Sequence, residues 1–487
     1  MGKTLKIAGA LLLICALSFT AATAFFIAVS DDVEVFQKTL YGDPKAAEGL
    51  KVDFRVQYKN TLHWDIHCDP VTGESDTDFT FSHDDPFYVP YDHGPSGVMM
   101  YALMDYRSHR FSWEPLPGMP EDSGIFKLAE YLNSLPAPEY EQDGNSTVAQ
   151  EEICHTVDLS DFFEYYLFEG DVDLDGVGYV PFWDVYSEHS SAASEGSQLL
   201  AKLFNDYVKI PVRDNATVLV SVFEYRNGRR EYHFGGFPEG STFFCPESFS
   251  FVSGNSCYFV FSNTMGHDVS QIPGGWGIYQ LDYTLTGTQD IATAQLSTAY
   301  PLDSAGYVQR MELSADGKRI LLINARGDGT YLTVIDLATM AKLQEIEIYH
   351  GTEAPYIHVD IHDDFILTSY GSRLCVYQLL ADGTYEQRID VDTGFSDQPR
   401  FLNSYADFVA FDGQRLAIVD ILMRYVMDGD TSYAYETCGF ALQIFDRTGL
   451  LYHGEYGTTL EPADRNGFRY GDFNYANYNA PFLLEWE

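Results

Sequence analysis

Along most of this chain, apolar and polar residues alternate over short stretches that are closed by Gly, Asp, Asn and Ser, a period of two that predicts strands. The pattern is clearest from Tyr307 to Ile348. Val308 to Leu313 and Arg319 to Asn324 read as strands around the turn Ser314-Ala315-Asp316-Gly317. After Gly327-Asp328-Gly329 come Tyr331 to Leu337 and, past Ala338-Thr339-Met340, a last strand carrying Leu343, Ile346 and Ile348. These predict one four-stranded sheet folded up and down. Similar stretches lie at Val52 to Val56, Leu62 to Cys68, Phe79 to Phe81 and Val98 to Tyr106, then at Thr217 to Phe234, Glu247 to Leu296, Tyr356 to Val391, Tyr405 to Tyr456 and Phe482 to Trp486. Between Glu121 and Pro211 the period changes. Gly124 to Leu135 after Ser123, Ser160 to Glu169 capped by Asp158 or Ser160, and Glu195 to Val208 read as helices, so residues 121–211 are expected to form a mainly helical insertion.

The words "LSADGKRILLI" and "TYLTVIDLATMAKLQEI" in the Tyr307 to Ile348 stretch resemble YVTN-type and WD-repeat-like β-propeller blades. The resemblance implies an all-β propeller over residues 31–487, of about seven blades or about six, with the chain ends sharing one blade to close the ring. The same words are similar to lactonase-like propellers. No residue set in them carries a catalytic assignment, and propellers host many unrelated functions.

One stretch has neither period. Ile7 to Val29 is apolar, long enough for a bilayer-spanning helix, preceded by Lys3 and Lys6 and followed by Asp31, Asp32 and Glu34. Ala22-Thr23-Ala24 offers a cleavage site, which would make the protein secreted, but the run continues through Phe25, Phe26 and Ile27. Residues 1–30 are therefore expected to be a signal anchor in the cell membrane with an extracytoplasmic body, and membrane contact is expected through this helix. Disulfides are permitted in that compartment, and Cys245 with Cys257 is the expected pair among the six cysteines outside the run, with six buried thiols as the equal alternative.

Charge narrows the partners. With 72 acidic against 29 basic residues the net charge is −43, which opposes binding to nucleic acid or anionic surfaces. A solvated acidic surface accounts for most of it. A protein, peptide or carbohydrate ligand remains open, with 35 tyrosines and 34 phenylalanines available to build sheet cores or a stacking surface.

Two motifs bear on chemistry. Asp171-Val172-Asp173-Leu174-Asp175-Gly176 is a D-x-D-x-D-G run whose carboxylates suit calcium, and it resembles EF-hand, dockerin and FG-GAP loops. The resemblance implies Asp171, Asp173 and Asp175 as ligands with the Val177 carbonyl. It departs at Tyr179 and Phe182, so Asp184 or Glu188 would have to complete the set. The second motif is a pair of H-x-D-x-H pentads, His63-Trp64-Asp65-Ile66-His67 and His358-Val359-Asp360-Ile361-His362. On a strand the histidines and aspartate share one face. Six such side chains on inner strands would suit a transition metal, whereas cognate positions in a repeat would use them to satisfy backbone groups. The preferred function is a tethered extracytoplasmic propeller that binds a ligand or partner protein, with no catalytic residue assigned. The alternative is a metal-dependent hydrolase or oxidase using the pentads.

Overall fold

The computed structural model describes residues 14–20, 35–58, 62–81, 97–105, 120–136, 139–140, 142–143, 146–147, 154–174, 178–182, 194–225, 230–286, 290–303, 307–351, 357–393, 408–428, 432–458, 468–470 and 482–487. It divides into two compact units. One comprises Met1–Asp92, Ile357–Ala381 and Tyr385–Glu487, and the other His93–Tyr356 with Asp382–Thr384.

The strongest strand pattern folds as expected. Tyr307–Leu313, Arg319–Arg326, Gly329–Asp336 and Ala341–His350 pair in sequence order as one antiparallel meander. Its turns explain why Asp and Thr recur there. Asp316 accepts from Ser314 Oγ at 2.8 Å while Gly317 takes φ +69°, a conformation open to glycine because it has no Cβ. Asp336 Oδ1 accepts from Thr339 N at 2.8 Å and Thr339 Oγ1 at 2.6 Å, closing the next hairpin. Thr448 gives Asp446 the same two bonds. Many acids of this chain thus work as turn acceptors.

The same meander order recurs in Ser248–Ser253, Ser256–Phe261, Gly277–Leu285 and Ile291–Pro301, and in His358–Ile361, Phe365–Tyr370, Arg373–Leu379 and Tyr385–Asp392. A five-stranded sheet holds Val409–Phe411, Leu416–Asp428, Ser432–Asp446 and Gly449–Thr458, with Val35–Gly42 added at its edge. Another joins Leu50–Tyr58, Leu62–Cys68 and Ser75–Phe81 to the C-terminal Phe468–Tyr470 and Phe482–Trp486. The chain ends therefore share sheets, as expected. This is an all-β, propeller-like architecture.

Within the first unit, packing shows why the strands read as continuous apolar runs. Ala417 and Val419 enter a core with Val52, Phe54, Trp64 and Ile66, while Leu416 and Ile418 enter a second core with Leu367, Val376 and Ile389. A strand covered on both faces has no polar side to alternate with. The second unit has a core of its own that gathers its sheets and helices, including Phe168, Val172, Phe204, Phe259 and Ile320.

Two expectations need correction. The described residues of 121–211 are not mainly helical: helices form at Gly124–Ser134 and Glu195–Tyr207, but Ser160 to Glu169 holds only the end of the short 3-10 turn Leu159–Asp161 and the beginning of the strand Phe168–Leu174. Asp158 does cap that turn, accepting from Ser160 N at 3.0 Å. The aromatic residues that follow favour extended backbone, and burial of Tyr166 and Phe168 in the core decides the outcome. Second, Cys245 and Cys257 are thiols: Cys245 Sγ lies 3.0 Å from Asp105 Oδ2, while Cys257 is fully buried in mid-strand, its pKa pushed far upward by desolvation. Of the N-terminal apolar run only residues 14–20 are described, as helix. No helix among the described residues is long and apolar enough to cross a membrane.

Candidate functional site

The first pentad lies on Leu62–Cys68, an internal strand paired with Leu50–Tyr58 on one side and Ser75–Phe81 on the other. Trp64 and Ile66 are fully buried. On the opposite face Asp65 stands directly across from Arg55, which binds it with two hydrogen bonds, Nε to Oδ1 at 2.5 Å and Nη2 to Oδ2 at 2.7 Å. His67 stands across from Asp53, with Nδ1 3.0 Å from Oδ1. That hydrogen bond raises the imidazole's pKa above its ordinary value, against a smaller opposing effect of burial. On the third strand Asp78 and Asp76 oppose Asp65 and His67. The face is a cross-strand ladder of charges; the side chain of His63 lies outside the described residues.

The second pentad is placed differently. Only His358–Ile361 is strand, and it is the first strand of its sheet, paired with Phe365–Tyr370 alone among the described residues. Asp360 opposes Leu367, which opposes Val376, so the carboxylate shares its face with the apolar core. His362 lies beyond the strand end. Its N–H donates to Phe365 O at 2.9 Å, its ring stacks on Phe365 with centroids 4.2 Å apart, and Nε2 sits 3.3 Å from Asp360 Oδ2. Both side chains are nearly covered, 13% and 11% exposed. The expectation that the pentads occupy cognate strands is thereby corrected. One is internal with its polar side away from the apolar core, the other is, among the described residues, an edge strand with its polar side toward it. A period of two tells which residues share a face and leaves open which face is packed.

The described part of the acidic run, Asp171 to Leu174, is strand. Asp171 and Asp173 belong to Phe168–Leu174, a strand paired on both sides, with Asp171 opposite Met99 and Pro181 and Asp173 opposite Gly97 and Tyr179. Val172 and Leu174 enter the core. Asp171 is also buried, on the other face together with Glu169. Asp175, Val177 and Asp184 lie outside the described residues. Among the described residues, no group of three or more His, Cys, Asp or Glu is arranged to hold a metal ion.

In the second unit two aromatic side chains are exposed, each on ring neighbours of its own, that composition did not separate from the core. Helix Gly124–Ser134 is tied to the strand Arg230–Gly236, where Arg230 donates to the Asn133 and Leu135 carbonyls and Tyr232 OH to Asn133 Oδ1 at 2.6 Å. On the helix, Tyr131 is 37% exposed and lies 5.4 Å from the ring of Phe162. From the end of the tied strand, Phe234 contacts Phe237, which is 38% exposed and stacked on Phe243 at 4.9 Å. Sequence reasoning also missed His267. It is buried between the rings of Tyr166 and Phe244, and desolvation, helped by the Arg213 charge, lowers its pKa to about 4. Nothing in the flanking Gly-rich pattern marks it.

These sheets and surfaces define a propeller-like, all-β protein. No family model matches the chain, and no curated protein matches its sequence. Solved structures similar to it include a putative 6-phosphogluconolactonase from Bacteroides fragilis, 10% identical over 83% of this chain and 92% of that one with a TM-score of 0.24. The periplasmic gluconolactonase of Pseudomonas aeruginosa is 11% identical over 83% and 82%, with a TM-score of 0.22. Hydrazine synthase of Kuenenia stuttgartiensis is 14% identical over 48% of this chain and 60% of that one, less than two thirds of its length, with a TM-score of 0.21. These neighbours have β-propeller-type folds. At such TM-scores the likeness carries no argument.

Proposed function

We propose that this protein is a membrane-tethered, extracytoplasmic β-propeller of seven blades that binds a protein, peptide or carbohydrate ligand on the aromatic surface of its second unit. The observation that carries the reading is the exposure of Tyr131 and Phe237, each backed by further aromatic rings, on a helix and just past a strand that Arg230 and Tyr232 tie together through Asn133. Rigid aromatic faces of this kind stack on sugar rings and on proline or aromatic side chains at low entropic cost. The acidic exterior favours neutral or basic ligands over polyanions. Glycan and peptide arrays probed with the full chain test this. Tyr131→Ala and Phe237→Ala should each weaken a captured ligand by about tenfold, and unchanged binding in both variants overturns the reading. Calcium at Asp171, Asp173, Asp175, Val177 and Asp184 belongs to the same proposal. It predicts heat on calcium titration and a lower Tm on chelation.

The metal-dependent hydrolase or oxidase remains as the second reading because Asp360 and His362 form a nearly covered carboxylate–imidazole contact. In that reading His63, Asp65, His67, His358, Asp360 and His362 supply the ligands and bases. Elemental analysis of the purified protein separates the two: a stoichiometric transition metal favours the enzyme.

A further inference from the structure

Edge strands of soluble sheets are usually blunted by charge, because an open edge with apolar side chains invites association. Val35–Gly42 is the edge strand of the five-stranded sheet, paired only with Gly449–Thr458 among the described residues. Its inward face is fixed by Gln37, whose Nε2 donates to Tyr452 OH at 2.7 Å, Tyr456 OH at 3.1 Å and Pro70 O at 3.0 Å. Phe36 and Lys38 therefore point the other way. The register slips between Thr39 and Tyr41, so Leu40 is the extra residue of a bulge and is turned outward. Phe36, Leu40 and Tyr41 are 55%, 44% and 56% exposed, and Lys38 beside them reaches Glu455 at 3.2 Å.

Chain length limits what can cover this face. The apolar run ends at Val29, six residues before Val35. Even fully extended, six residues span only about 20 Å, so an anchored run holds this strand close to the headgroup layer. Ile14, Leu17 and Phe19 within the run are exposed large apolar residues as well, and Thr20 Oγ1 returns its hydrogen bond to Ala16 O at 2.8 Å, as a hydroxyl in hydrocarbon must. Aromatic residues with a neighbouring lysine are the composition of a membrane–water boundary. Asp31, Asp32, Glu34 and the net charge of −43 oppose an anionic surface. We propose that Val35–Gly42 is a second membrane contact, seating Phe36, Leu40 and Tyr41 in the headgroup layer of a zwitterionic bilayer; this rests on the tethered reading above.

The test places the photo-crosslinking residue p-benzoylphenylalanine at Phe36, at Tyr41 and, as a control, at the exposed Leu343, in the full chain reconstituted into phosphatidylcholine vesicles. Lipid adducts should exceed those at Leu343 by at least about fivefold at both test positions, as expected of side chains seated at the interface. Adducts to a second copy of this chain would overturn the proposal in favour of edge-to-edge pairing, and absence of excess adducts would overturn it outright. A chain that fails to float with the vesicles would sink the tethered reading and this contact together. Flotation with control-level adducts sinks the contact alone.

Discussion

Asp65 and His67 of the first pentad face away from the apolar core and meet charges across the ladder, whereas Asp360 of the other pentad faces a core and meets His362, whose ring is itself stacked on Phe365. The two five-residue words match at every polar position and still occupy an internal strand in one case and an edge strand in the other. The difference lies in the residues around them. Arg55 and Asp53 supply the first pentad with partners at register positions directly opposite, while Leu367 and Val376 give the second an apolar neighbourhood. A motif of alternating ligands is thus read by its cross-strand neighbours as much as by itself.

The apolar halves of the pentads should differ most. Trp64→Ala removes a fully buried indole and should cost about 4 kcal/mol, against about 1 to 2 kcal/mol for Val359→Ala. Urea titrations at constant m-value measure both. Equal losses would mean that the two strands carry equivalent packing, contrary to their placement.

Next is a histidine facing rings instead of carboxylates. His267 meets the rings of Tyr166 and Phe244, its backbone is held by the Asn263 side chain, and it feels the charge of Arg213, which contacts the Met265 and Gly266 carbonyls; Asp268, next in sequence, has its carboxylate engaged by Ser270 N. Its folded pKa of about 4 lies below the ordinary 6.5, so the unfolded chain binds the proton first as pH falls. Stability is full above pH 6.5 and declines down to about pH 4, by about 3 kcal/mol in total. His267→Phe should flatten that part of the stability–pH curve. A slope that survives the substitution would assign it to other groups.

How much of this was legible follows from the same contrast. Asp316-Gly317 and Asp336 to Thr339 form their turns from bonds between near neighbours, so sequence alone placed them and the meander they join. Helix Gly124–Ser134 was legible for the same reason, its cap being Ser123 Oγ accepting from Phe126 N at 3.2 Å. Ser160 to Glu169 was not, because burial of Tyr166 and Phe168 in a distant core overrode a local helical pattern. Asp171 and Asp173 carried the spacing of a calcium loop, yet pairing with strands up to 76 residues away in register, Asp173 opposite Gly97, made them strand. Partners such as Arg55 for Asp65 become visible only when a register is known.

The ladder of the first pentad can be taken apart one rung at a time. Arg55 is 11% exposed and Asp65 34%, so Arg55→Met strands a half-covered carboxylate and should cost about 2 kcal/mol. Adding Asp65→Leu should recover most of it, since the remaining charge is then gone. A double-mutant cycle should give a coupling of about 1 to 2 kcal/mol, and a coupling near zero would show that the two groups are independently solvated.

The outermost rung should matter least. His67 is 53% exposed, so its contact with Asp53 is screened by water and contributes a few tenths of a kcal/mol at most. Its sign is nevertheless opposite to that of His267. The hydrogen bond to Asp53 raises the folded pKa above 6.5, so the stabilisation is fully present below pH 6.5 and disappears as pH rises through the folded value. His67→Gln keeps a neutral polar side chain on the strand and removes the titration. The variant should therefore match the parent above that window and fall slightly below it in acid, with a Tm difference of about 1 °C. A variant that loses stability equally at every pH would show that His67 acts through packing on its face, and the contrast between a charged ladder and a core-facing dyad would then have to rest on Arg55 and Asp65 alone.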